Sequence, residues 1–168
     1  MGVGSTFTVE FAQALPLDAA PVFEPIAGRR APSENADATE TRHKVLYIED
    51  DPLNLELIER LLSLDGSLRL LTATCGQDGL EIAREQRPEL VLLDMHLTDM
   101  DGAEVLGALR SDARTAQVPV VVVSADAMGE QIERMRRLGA QAYITKPLDL
   151  DDLRRTISET IHAAAAAG

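Results

Sequence analysis

The chain has 168 residues, which suits one domain of ordinary size plus a tail, and its 45% hydrophobic and 26% charged residues are the balance of a globular protein. Aromatics are only 3% and Trp is absent, so the core must be built from Leu, Val, Ile and Ala. A formal net charge of −12 argues against a nucleic-acid partner or an anionic membrane surface, and the single cysteine, Cys75, excludes an internal disulfide and a cysteine-based zinc cluster.

The N-terminus shows no basic region followed by an apolar segment, and no apolar run approaches the roughly 20 residues of a bilayer span. The expectation is a cytoplasmic protein without a membrane partner. Residues 14–43 hold Pro16, Pro21, Pro25 and Pro32 and no sustained apolar period, which is linker composition. From Lys44 onward, short apolar runs alternate with amphipathic stretches. Strands are predicted at 45–48, 68–73, 89–94, 118–125 and 142–145, and helices at 53–64, 78–87, 103–110, 128–139 and 150–163. In the first helix Leu53, Leu57, Leu61 and Leu64 form one stripe. The alanines of 164–168 read as a frayed tail beyond a folded unit spanning 44–163.

Strands this apolar are buried on both faces, the mark of a parallel sheet covered by helices. The expected fold class is therefore α/β, doubly wound, with right-handed crossovers and helices on both faces. Open sheets of this kind bind ligands beyond the carboxyl ends of their strands. There the sequence places Glu49 and Asp50 after the first strand, Asp94 at the end of the third, Ser124 at the end of the fourth, and Thr145, Lys146 and Pro147 after the fifth. In the order 2-1-3-4-5 these ends are neighbours. Carboxylates held together call for a cation, and hard oxygen donors suit Mg²⁺. A lysine and a hydroxyl suit phosphoryl oxygens, so Asp94 is placed to be an in-line nucleophile that becomes an aspartyl phosphate.

The segments YIEDD, LVLLDMHLTDMDG, PVVVVSA and YITKP, in this order and spacing, resemble the receiver domain of two-component response regulators from about Lys44 to about His162. The resemblance implies the flavodoxin-like five-stranded order 2-1-3-4-5. It implies Asp94 as phospho-acceptor, and Mg²⁺ held by Glu49, Asp50, Asp94 and the backbone carbonyl of His96. Ser124 becomes the switch hydroxyl, Lys146 the phosphoryl-binding lysine before a proline whose peptide is usually cis in the family, and Tyr143 the aromatic that turns inward. The partner implied is a histidine kinase or histidine phosphotransfer protein, with room for homodimerisation on phosphorylation. Such a domain is a self-phosphorylating and self-dephosphorylating switch rather than a turnover enzyme. Glu49 stands where many members have Asp, Thr98 replaces a frequent proline, and His96 occupies a position that influences phosphoryl lifetime. Within residues 1–13, the stretch beginning GVGSTFTVEF is similar to the last glycine box and closing strand of the ATP-binding domain of histidine kinases, which implies the C-terminal piece of a hybrid kinase.

Other readings have less behind them. A flavin module needs a phosphate-cradling loop where this chain has Glu-Asp-Asp-Pro, and a haloacid-dehalogenase phosphatase normally has a second Asp where His96 stands. A degenerate scaffold receiver fits poorly with the intact set of reactive groups. Asp51, before Pro52, is expected to cap the first helix, Asp99 and Asp101 to shape the loop after the third strand, and Cys75 to be a small buried apolar residue.

Overall fold

The computed structural model describes residues 42–63, 65–126 and 128–167. The N-terminal segment resembling a kinase domain end, and the linker up to residue 41, lie outside the described residues. Strands and helices alternate: β1 (His43–Ile48), α1 (Pro52–Leu62), β2 (Leu68–Ala73), α2 (Gly76–Gln86), β3 (Leu90–Asp94), α3 (Gly102–Ser111), β4 (Val120–Ser124), α4 (Gly129–Arg137), β5 (Ala142–Thr145) and α5 (Leu150–Ala167). The five strands form one sheet in the order β2-β1-β3-β4-β5, every pair parallel. This is the doubly wound topology expected.

Period-2 alternation divides each central strand between two cores. Leu46, Ile48, Val91, Leu93, Val120 and Val122 join the core under α2, α3 and Met135 of α4. Val45, Tyr47, Leu90, Leu92, Val121 and Val123 join the other, under α1 and α5. Both faces of β1, β3 and β4 are thus dry, which is why these strands read as unbroken apolar runs.

The structure sharpens or corrects several expectations. His43 already pairs with Leu68, so the folded unit begins before Lys44. The buried stripe of α1 is Leu55, Ile58 and Leu62, whereas Leu53 and Leu57 are 73% and 48% exposed. Both stripes have helical spacing, and periodicity alone cannot say which one the sheet covers. Finally, α5 continues to Ala167, because a run of alanines has the highest helix propensity available.

Helix starts fix the loops at the carboxyl edge. Asp51 caps α1 by accepting from the Leu53 N–H at 2.9 Å, with Pro52 following it. Asp101 and Glu104 form a reciprocal capping box on α3. The cap of α2 comes from elsewhere: Asp99, in the β3–α3 loop, accepts from the N–H groups of Gly76 and Gln77 at 2.8 and 2.9 Å. Those two bonds, foremost, hold its carboxyl below the ordinary carboxylate range. Cys75 is half-buried at the start of α2 rather than fully enclosed. Gly102 lets α3 start close against β3, since a Cβ there would lie 2.6 Å from the Asp94 carbonyl oxygen and 2.8 Å from Met95 Cα.

Candidate functional site

Strand register decides which residues meet. Ile48 is level with Leu93, Asp94 with Val123, and Ser124 with Thr145. Glu49, Asp94, Ser124 and Lys146 therefore arrive at one rim of the sheet although up to 97 positions separate them in the chain. Oxygens of Glu49, Asp50 and Asp94 lie within 4.8 Å of one another. Lys146 Nζ reaches across from β5, 2.7 Å from Glu49 Oε2 and 3.2 Å from Asp94 Oδ1.

Glu49 and Asp94 are 1% and 4% exposed, so the rim holds two carboxylates with little water to screen them. Burial, and then the charge of Glu49, push the Asp94 carboxyl up from its ordinary value, while Lys146 pulls the other way. Burial also works against the Lys146 ammonium. Its bond to Glu49 and the charges of Asp94 and Glu49 outweigh that, and its pKa is raised. A hard divalent cation fits this donor set, because oxygen ligands in mutual reach repel one another until a cation joins them.

Glu49 is held by more groups than sequence reasoning foresaw. The Tyr47 phenol donates to Oε2 at 2.5 Å, and Oε1 accepts from Asn54 Nδ2 at 3.2 Å and the Asp51 N–H at 3.3 Å. Tyr47 is fully buried. Burial first, then the bond to Glu49 and the neighbouring carboxylates, raise its pKa far above that of a free phenol, so it remains a donor. A period-2 reading could have found Tyr47, which shares a strand face with Glu49 two residues on.

The remaining predicted residues fall around this cluster. Ser124 is fully buried, and its Oγ accepts from the Asp126 N–H at 3.1 Å. Tyr143 is half-buried on β5, and its hydroxyl donates to the Asp126 carbonyl at 2.6 Å. His96 lies two residues beyond Asp94 and bridges to Asp101, with its side chain exposed. Thr145 is exposed, and the Lys146–Pro147 peptide is cis. Arg134, Arg136 and Arg137 are solvated on α4.

The response regulator receiver domain family matches residues 45–158. The chain belongs to that family. It is 37% identical to the polar-differentiation response regulator DivK of Brucella anthropi over 113 residues, 67% of this chain and 91% of the relative. The crystal structure of a CheY-like response regulator receiver domain protein from Methanospirillum hungatei JF-1 superposes with a TM-score of 0.69 at 26% identity, covering 76% of this chain and all of that one. The receiver domain of the sensor histidine kinase PA1611 from Pseudomonas aeruginosa PAO1, solved with a magnesium ion coordinated in its active-site cleft, gives a TM-score of 0.67 at 26% identity, over 72% of this chain and 98% of its own. The chain is thus a receiver domain of two-component signalling, a class that works as a phosphorylation switch. Among the described residues, no helix is long and apolar enough to cross a membrane.

Proposed function

We propose that Asp94 takes a phosphoryl group from a phosphohistidine on a histidine kinase or histidine phosphotransfer protein, and that the resulting charge changes a protein-binding face. The observation that carries this reading is the meeting of Asp94 with Glu49, Asp50 and Lys146 at one rim. Glu49, Asp50, Asp94 and the backbone carbonyl of His96 would hold Mg²⁺. When bound, that ion neutralises charge on the carboxylates and on phosphoryl oxygens.

The residues themselves do the following. An oxygen of ionised Asp94 attacks phosphorus in line. The bond from phosphorus to the donor imidazole breaks, and its electron pair returns to the nitrogen. Lys146 turns from the carboxylates to one phosphoryl oxygen, and the Ser124 hydroxyl donates to another. Asp126 joins this event to Tyr143: its N–H is held by Ser124 and its carbonyl by the Tyr143 hydroxyl. Movement of Ser124 draws on the loop and frees the ring to turn inward, which reshapes the face made by α4, β5 and α5. This is a two-state equilibrium biased by a local charge change.

The exposed pair Leu53 and Leu57, on the helix that follows the acidic residues, supplies an apolar landing for the phosphohistidine-bearing helix. Residues 1–13 and 14–43, read as the end of a kinase ATP-binding domain and a linker, support a place in a hybrid kinase. The direct test exposes the protein to beryllofluoride and Mg²⁺ and follows amide chemical shifts near Ser124 and Tyr143. The parent responds and Asp94→Ala does not; an equal response from both removes Asp94 as the acceptor.

A further inference from the structure

The phospho-acceptor reading gives Tyr47 no role, yet its phenol donates to the same Glu49 oxygen that Lys146 holds. That oxygen belongs to a carboxylate which is almost entirely buried. A buried acceptor stripped of its donors is strongly disfavoured, and more so when charged. In the state described, Oε2 has two donors, Tyr47 Oη and Lys146 Nζ. Oε1 is served separately by Asn54 and the Asp51 N–H. If Lys146 moves to a phosphoryl group on Asp94, the phenol is the one hydrogen-bond donor left on Oε2 among the described residues, whatever cation the carboxylate also holds.

Resting on the phospho-acceptor reading above, we propose that Tyr47 is a positioning residue that keeps Glu49 Oε2 satisfied when Lys146 leaves it, and so makes the transfer of that lysine to the phosphoryl group favourable. The phenol is suited to this. It is rigidly packed in the core beneath α1 and α5, it is neutral, and it cannot itself follow the phosphoryl group. Its second effect has the opposite sign. By donating to Glu49, it withdraws charge that the carboxylate would otherwise offer to a cation. The hydroxyl therefore weakens resting metal binding while it strengthens the phosphorylated state.

Tyr47→Phe separates the two, since it removes one oxygen and leaves the ring in the core. Mg²⁺ alone, titrated by calorimetry, is expected to bind Tyr47→Phe several-fold more tightly than the parent. Beryllofluoride, titrated at saturating Mg²⁺ with amide shifts as readout, is expected to bind about tenfold more weakly, the order of one lost hydrogen bond to a buried charge. General loosening of the core would weaken both ligands together, and that result overturns the proposal, as does a variant that matches the parent in both. A double-mutant cycle with Glu49→Gln tests the route. If Tyr47 acts through the Glu49 carboxylate, Tyr47→Phe adds little in the Glu49→Gln background; an undiminished effect there refutes the assignment. Failure of the parent itself to bind beryllofluoride through Asp94 would instead remove the phospho-acceptor reading, so the two failures are distinguishable.

Discussion

Asp94→Asn should stabilise the domain at neutral pH in the absence of divalent cations. Oxygens of Glu49 and Asp50 lie within 4.8 Å of an Asp94 oxygen, so each repulsion is about 3.5 kcal/mol or more at an effective dielectric near 20. Lys146, 3.2 Å from Oδ1, offsets about 5 kcal/mol on the same scale. The balance is about 2 kcal/mol against the ionised carboxyl, and burial pushes in the same direction. The amide keeps the shape and removes the charge. For a domain of this size, about 2 kcal/mol corresponds to roughly 6–10 °C in Tm. The sign with pH follows from the raised pKa of Asp94: protonation favours the fold, an advantage complete below the unfolded-state pKa and lost as pH rises through the higher folded-state value. The gap between variant and parent should therefore be full at neutral pH and shrink as acid protonates Asp94. Added Mg²⁺ should raise the parent more than the variant. Thermal melts from pH 4 to pH 8, with EDTA and with Mg²⁺, measure all of this. A variant no more stable than the parent at neutral pH in EDTA would refute the electrostatic reasoning.

Lys146→Ala leaves two buried carboxylates without their cation, and should lower stability by about 3–5 kcal/mol in urea titrations, with partial recovery in Mg²⁺. Because the Lys146 pKa is raised, the parent's advantage persists through neutral pH and fades only as pH climbs through that alkaline value. Gly102→Ala drives a Cβ into the backbone of Asp94 and Met95, which cannot yield as a side-chain end could; a loss of about 1–3 kcal/mol by denaturant midpoint, together with weakened Mg²⁺ binding, is expected. Leu53→Glu with Leu57→Glu should leave Tm within about 2 °C, as both side chains face solvent. The same pair should slow phosphotransfer from a phosphohistidine donor while leaving phosphorylation by acetyl phosphate unchanged.

The elements were legible because their signals are local. Apolar runs of four or five residues, bounded by Gly66, Pro88 and Gly139, mark the strands and helix stops, and uninterrupted valines in β4 announce a strand buried on both faces. The candidate site was legible as a set of strand ends: Glu49, Asp50, Asp94 and Lys146 each lie at a strand end or within two residues of one, and a parallel sheet gathers such ends at one rim. What a residue touches across the fold was not. Leu53–Leu57 and Leu55–Ile58–Leu62 are equally good stripes on one helix, and only the seat of α1 on the sheet shows that the second is buried. Asp99 caps a helix that begins 23 residues earlier, a pairing no local pattern encodes. The sharing of Glu49 between Tyr47 and Lys146 depends on strand order and register, which are settled by how five strands pack together rather than by any one of them. Sequence carries periodicity and chemical type along the chain; tertiary packing alone decides which of those groups lose their water together, and therefore which charges feel one another.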